Sequence, residues 1–175
     1  KNTVDVQDAY TNNYTDYLDT IPHLFYYNAF LILSNGTEAK VGTLGSKYEF
    51  FHEWKRLSEQ EQGSVALETM LRGICKKENF LDLLENFILF DHSGGHTSKI
   101  LARNHQYLGV NEAVKAYEAR KLNNGKLGVF WHTQGSGKSY SMVFLAQKIR
   151  RKFSGSPTIV ILTDRDELNT QISDT

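Results

Sequence analysis

Residues 127–153 arrange three textures in an order that leaves few folds open: a short apolar run, a glycine-rich turn and an amphipathic stretch. The turn reads His132-Thr133-Gln134-Gly135-Ser136-Gly137-Lys138-Ser139. A backbone wrapped round a phosphate must aim several N–H groups inward, and glycine permits both the turns and the close approach. In such a loop Lys138 reaches the terminal phosphates of ATP and the Ser139 hydroxyl ligates Mg²⁺. The helix that follows turns its positive end to the anion. Gln134, Gly135, Ser136 and Gly137 form the rest of the cradle. The strict pattern G-x-x-x-x-G-K-[ST] wants glycine at position 132, where this chain has His132. A chance GSGKS in a linker would not lie between an apolar strand and an amphipathic helix, so the context predicts nucleotide binding.

The surrounding chain supports an α/β reading. Residues 127–131 predict a strand, 139–153 a helix with Val143, Ala146, Ile149 and Phe153 along one side, and 158–163 a second buried strand. Strand, crossover helix and strand in this spacing predict a parallel βαβ unit. Upstream, 104–122 predicts a helix stopped by Asn123-Asn124-Gly125. Residues 8–20 predict a tyrosine-rich helix, 24–33 a buried strand, Ser34-Asn35-Gly36-Thr37 a hairpin turn and 38–44 its return strand. Helices are expected over 65–74 and from Asn79, where Phe80, Leu83, Leu84, Phe87 and Ile88 mark one face. The run 91–98 (DHSGGHTS), with two glycines and no apolar residue, reads as a linker.

Composition excludes more than it assigns. Twenty basic residues balance twenty acidic ones, so nucleic-acid binding would need a local patch. The cluster Lys148, Arg150, Arg151, Lys152 has a ready explanation at a helix C-terminus, which favours cations. The single Cys75 excludes an internal disulfide framework and fits a reducing cytosol. No apolar run approaches the roughly 18–20 residues of a membrane span. His92 and His96 sit in a glycine loop with no third ligand, which argues against a metal site. Asp164, closing the run TIVILTD, leaves two readings open: a Mg²⁺-positioning carboxylate as in kinase- or GTPase-like folds, or a helicase-type segment with other duties.

The runs WHTQGSGKS and ILTDRDELNTQ resemble the superfamily 2 helicase motor of type I restriction enzyme R (restriction/translocation) subunits. In that family position 132 is habitually histidine. KILARNHQYLGVNEAV (99–114) is similar to the adenine-reading segment upstream of the motor, which implies that Gln106 reads the base with Arg103 nearby. A glutamine amide offers one donor and one acceptor, matching adenine. Under this resemblance Asp164 is not assigned to Mg²⁺. The front, IPHLFYYNAFLILSNGTEAKVGTL, resembles the later part of a RecB-like nuclease domain. Such nucleases hold a divalent metal with an Asp and an E-x-K pair, so Lys1 aligns with the tail of E-x-K. The family's Q-x-x-x-Y aligns with Asn13 and Tyr17, with Asn13 in place of glutamine.

The resemblance implies three regions: the C-terminal part of a nuclease-like mixed sheet (1–56), a helical bridge and linker (57–98), and the first βαβ portion of a RecA-like domain (99–175). It implies ATP and Mg²⁺ as cofactors, double-stranded DNA as substrate, and methyltransferase and specificity subunits as partners in a bacterial or archaeal cytoplasm. The activity implied for the intact protein is ATP-dependent type I site-specific deoxyribonuclease. Another superfamily 2 translocase with a nuclease-like domain is the nearest alternative, and a phosphate-loop kinase or GTPase-like protein the next. The opening KNTVDVQDAY reads like the middle of a protein, with further acidic motifs expected before Lys1 and after Thr175. The chain alone is therefore expected to hold a nucleotide cradle without turning over ATP or cutting DNA.

Overall fold

A computed structural model of the chain describes residues 4–92 and 95–162. Asp5 starts the first helical segment, its carboxylate accepting the Gln7 N–H at 2.9 Å. Helix α1 (Val6–Ala9) runs through a π-helical turn (Tyr10–Tyr14) into α2 (Thr15–Thr20). Thr11 and Thr15 donate their hydroxyls to carbonyls four residues back, Thr11 on Gln7 and Thr15 on Thr11. Such back-bonding competes with the regular ladder and accompanies the widened turn here.

The hairpin β1 (Leu31–Ser34) and β2 (Ala39–Gly42) pairs antiparallel, Leu33 opposite Lys40. Its turn forms as expected: the Asn35 side-chain oxygen accepts the N–H groups of Thr37 and Glu38, and Gly36 takes φ +96°. The strand expected from residue 24 is shorter than the apolar run. Pro22 opens a 3₁₀ turn (Pro22–Phe25) instead, which ends extended pairing before Leu31. Phe25, Leu33, Phe51, Val6 and Tyr14 then close a small aromatic core under this hairpin.

Helices α3 (Leu67–Ile74) and α4 (Lys77–Asn86) follow. Asn79 does not cap α4; its amide donates to the Gly73 carbonyl at 2.9 Å, and Lys76 holds the cap position. The linker expected at 91–98 is instead the connection of a second antiparallel hairpin, β3 (Ile88–Asp91) with β4 (Ser98–Leu101). Turn and linker share the same composition, and only the apolar flanks Ile88-Leu89 and Ile100-Leu101 distinguish them. Ile88, read as the last residue of the helical stripe, belongs to the strand.

Helix α5 (Asn104–Glu118) packs against helix α6 (Lys138–Lys152), and α6 against α4. One apolar core runs from β2 to α6 through Val41, Trp54, Met70, Leu83, Phe87, Tyr107, Val110 and Phe144. The buried face of α6 is centred on Ser141, Phe144 and Lys148 rather than on Val143 and Ala146. Lys148 therefore points inward, which the reading of its cluster as cations suited to a helix C-terminus did not foresee. Its ammonium donates to Asp82 Oδ2 at 2.6 Å and to Asn111 Oδ1 at 2.6 Å, and lies 4.9 Å from the Phe87 ring centre. Burial pushes its pKa down despite the Asp82 carboxylate, and the same carboxylate, after burial itself, pushes the Tyr107 phenol up.

The fold is a mixed α/β arrangement of helices and two small antiparallel sheets. The parallel βαβ unit expected around α6 does not form among the described residues: 127–131 and 158–162 carry no strand. Gly128 takes φ +104° and breaks the extended backbone inside the first run. The side chains are also unburied, with Val129 93% and Leu162 91% exposed. A parallel strand needs neighbours on its edges and cover on both faces, and neither run has them among the described residues.

Candidate nucleotide site

Gly137 occupies the cap position of α6 with φ +80°, and Gly135 has φ +77°. Both are left-handed conformations that a side chain resists, which is why the loop spends glycines there. At Gly137 a second constraint applies: a Cβ would stand 2.7 Å from the Gln106 amide nitrogen. The Lys138 ammonium donates to the carbonyls of His132 and Thr133, both at 2.9 Å, so it closes over the start of its own loop. An ammonium has three donors and a flexible stem, so these bonds can be exchanged for phosphate oxygens. Ser139, in the first turn of α6, is buried.

The first turn of α5 meets this loop. Gln106 is 3% exposed, and its amide is used at both ends. Its carbonyl accepts the Arg103 N–H at 2.8 Å, and its nitrogen donates to the Gly137 carbonyl at 2.8 Å. His105 Nε2 lies 2.9 Å from the Ser136 carbonyl. Asn104 turns the other way: its side-chain oxygen accepts the N–H groups of Lys55 and Arg56, and its nitrogen donates to the Arg56 carbonyl. Three consecutive side chains thus tie two separate segments to one helix end.

His132, the departure from the strict loop pattern, packs its ring edge-on between His105 (centroids 4.8 Å apart) and Phe130 (4.5 Å). Phe130 in turn lies against the bare backbone of Gly109, where a Cβ would meet its ring at 2.5 Å. Burial, then the neighbouring His105 charge, pushes the His132 pKa down.

Arg103, Gln106 and the whole run Gln134, Gly135, Ser136, Gly137, Lys138 and Ser139 line one cavity of about 1260 Å³. Its other walls include residues 42–47, β4, Phe130, His52 and further positions of α6. That volume exceeds the usual range for small-molecule sites, about 300–1,000 Å³. Glycines at positive φ, a lysine at the loop's end and a helix N-terminus suit a polyphosphate.

The residues expected for nuclease chemistry lie elsewhere. Tyr17, on α2, is 48% exposed and does not line this cavity, and Asn13 is exposed. The buried tyrosine of that segment is Tyr14, whose hydroxyl accepts the Gly45 N–H at 2.8 Å. Lys1 lies outside the described residues, as do Thr163, Asp164 and Arg165. Among the described residues no group of three or more His, Cys, Asp or Glu side chains is placed to hold a metal. His92 is occupied locally, its Nδ1 lying 3.0 Å from the Thr97 hydroxyl. Sequence reasoning missed Asn104 and His105; the signal was three polar residues in a row, Asn104-His105-Gln106, opening a helix whose other positions alternate with apolar ones.

The family model of the SWI2/SNF2 ATPases matches residues 105–175, from His105 through the loop and α6. The type I restriction enzyme HindI endonuclease subunit of Haemophilus influenzae is 38% identical across the whole of this chain, which covers 17% of that relative. A Methanocaldococcus jannaschii protein provisionally named type I restriction enzyme MjaIXP endonuclease subunit is 30% identical over 98% of this chain and 18% of its own length. Another from the same organism, provisionally named the MjaVIIIP endonuclease subunit, is 31% identical over 93% of this chain and 16% of its own length. The chain thus spans about a sixth of the relatives it matches. Along its whole length the chain is similar to the endonuclease subunits of type I restriction enzymes.

Proposed function

We propose that this chain carries the phosphate-binding half of the ATP site of a restriction/translocation subunit, which translocates and cleaves unmodified double-stranded DNA. The observation that carries the reading is the direct bond from Gln106 to Gly137, inside one cavity with Lys138 and Ser139. Lys138 would hold the β- and γ-phosphates, Ser139 would ligate Mg²⁺, and Gln106 with Arg103 would face the adenine. Mg²⁺, when bound, neutralises charge on the phosphates. The likeness to SWI2/SNF2 ATPases supports a helicase-type motor over a kinase- or GTPase-like switch, so Asp164 is left out of the metal site.

On the same reading, residues 1–56 end a RecB-like nuclease domain, 57–98 form a bridge, and 99–175 begin the first RecA-like domain. Lys1 then closes an E-x-K metal motif, and the exposed Tyr17 supports it from α2. Methyltransferase and specificity subunits are the partners, in a bacterial or archaeal cytoplasm. Among the described residues no helix is long and apolar enough to cross a membrane. The test is ATP-driven translocation by the assembled enzyme carrying Lys138→Ala. Loss of translocation and of cleavage is expected; wild-type rates of both would refute the assignment.

A further inference from the structure

We infer that His105 is a positioning residue of the phosphate loop, acting through the peptide that joins Ser136 to Gly137; this rests on the nucleotide-site reading above. In a planar trans peptide, the carbonyl of one residue and the N–H of the next point in opposite directions. His105 Nε2 lies 2.9 Å from the Ser136 carbonyl oxygen. A carbonyl only accepts, so the ring donates and carries its proton on Nε2. Holding that carbonyl toward α5 turns the Gly137 N–H away from α5. Among the described residues that N–H has no backbone acceptor. Gln106 adds to this one residue on: the Gly137 carbonyl, which accepts the Ser141 N–H at 3.2 Å as the first bond of α6, also takes the Gln106 amide at 2.8 Å, with the Lys138 N–H on the far side. Two adjacent side chains thus aim two adjacent N–H groups, the donor pair that a concave anion site requires.

The imidazole is itself held in place. His132 presses against it edge-on with centroids 4.8 Å apart, and Phe130 backs His132 at 4.5 Å. Asn104 fixes the same helix end to Lys55 and Arg56. His132 therefore has a reason to stand where the strict loop pattern has glycine: it braces the ring that sets the loop.

The inference is tested on the intact subunit, by displacement of a fluorescent ATP analogue with ATP and with adenosine. His105→Phe keeps a ring and removes the donor, and His105→Gln returns an N–H donor at similar reach. His105→Phe is expected to weaken ATP by about three- to tenfold, the worth of one hydrogen bond, and leave adenosine unchanged. His105→Gln is expected to recover most of that loss. If His105→Phe binds ATP like wild type while Lys138→Ala has lost it, the inference fails and the site reading stands. If His105→Phe weakens ATP and adenosine alike and His105→Gln restores neither, the role is only structural and the inference fails. If Lys138→Ala binds ATP like wild type, the site reading falls and takes this inference with it.

Discussion

At Gly137 the backbone takes φ +80°, and a Cβ built there would stand 2.7 Å from the Gln106 amide nitrogen. Gly137→Ala should therefore cost about 1–2 kcal/mol from the left-handed backbone alone. It should also push Gln106 off the loop, seen as a lower urea midpoint together with weaker ATP binding. His52 gives a residue-scale prediction of another kind. Its ring nitrogens are closed off from solvent, near the backbone of Glu53 and Leu101 but short of a well-formed hydrogen bond. Burial, then the Arg103 charge, pushes its pKa down to about 4. A histidine held neutral in the fold contributes stability that is complete above its ordinary value near 6.5. As pH falls from there to about 4, the unfolded chain takes up a proton that the folded one refuses, and stability declines through that window. Urea midpoints followed over that range should fall for the wild type, and fall less steeply for His52→Gln. The glycine turns at Gly135 and Gly137 and the helix start at Lys138 were legible because the loop motif depends on residue type and local spacing. His52 was not legible, since its burial depends on Val41, whose backbone it pairs with across the sheet.

At the scale of elements, α4, α5 and α6 are held by an inward lysine as much as by apolar contact. Lys148 meets Asp82 from α4 and Asn111 from α5, and Asp82 also accepts from the Asn86 amide at 2.9 Å. Removing one partner of a buried pair leaves the other charge unpaired. Lys148→Ala is accordingly expected to cost about 3–5 kcal/mol in urea unfolding, and Lys148→Met with Asp82→Leu much less than the sum of its single changes. Additive costs in that cycle would contradict the pairing. Charge counting along the helix could not reveal this, because cations near a helix C-terminus are favourable on the surface too. Lys152, one turn on, behaves as that rule expects, pairing with Glu118 at 2.8 Å while both stay about half exposed. The hairpin β3–β4 was hidden for a similar reason. Glycine and serine between two short runs serve a turn and a linker equally well, and only the pairing of Leu89 with Ile100 decides. Helices α3, α5 and α6 were readable as helices, although the face that α6 buries was not.

Across the whole molecule, one core joins the front hairpin to α6, so the glycine loop that opens α6 is mounted on the same packing as β2 and Trp54. The helix that bears Gln106 is anchored at its start to both parts, through Asn104 on one side and His105 on the other. The runs flanking α6 were read as strands because they are apolar and brief, and that reading assumed partners for their edges. Here Val129, Trp131, Val160 and Leu162 lie exposed instead. Strand identity is a property of the sheet, and a local pattern cannot supply the neighbours. The loop's own geometry does not depend on those runs forming a ladder: its contacts to α5 and its lysine are all in place. The most direct test of the account is therefore the affinity of the intact subunit for ATP, measured by calorimetry with Mg²⁺ present, for wild type and Lys138→Ala. The account predicts saturable binding by the wild type and a loss of at least about tenfold in the variant, the worth of charge-assisted bonds to phosphate. Equal affinities in the two proteins would contradict it.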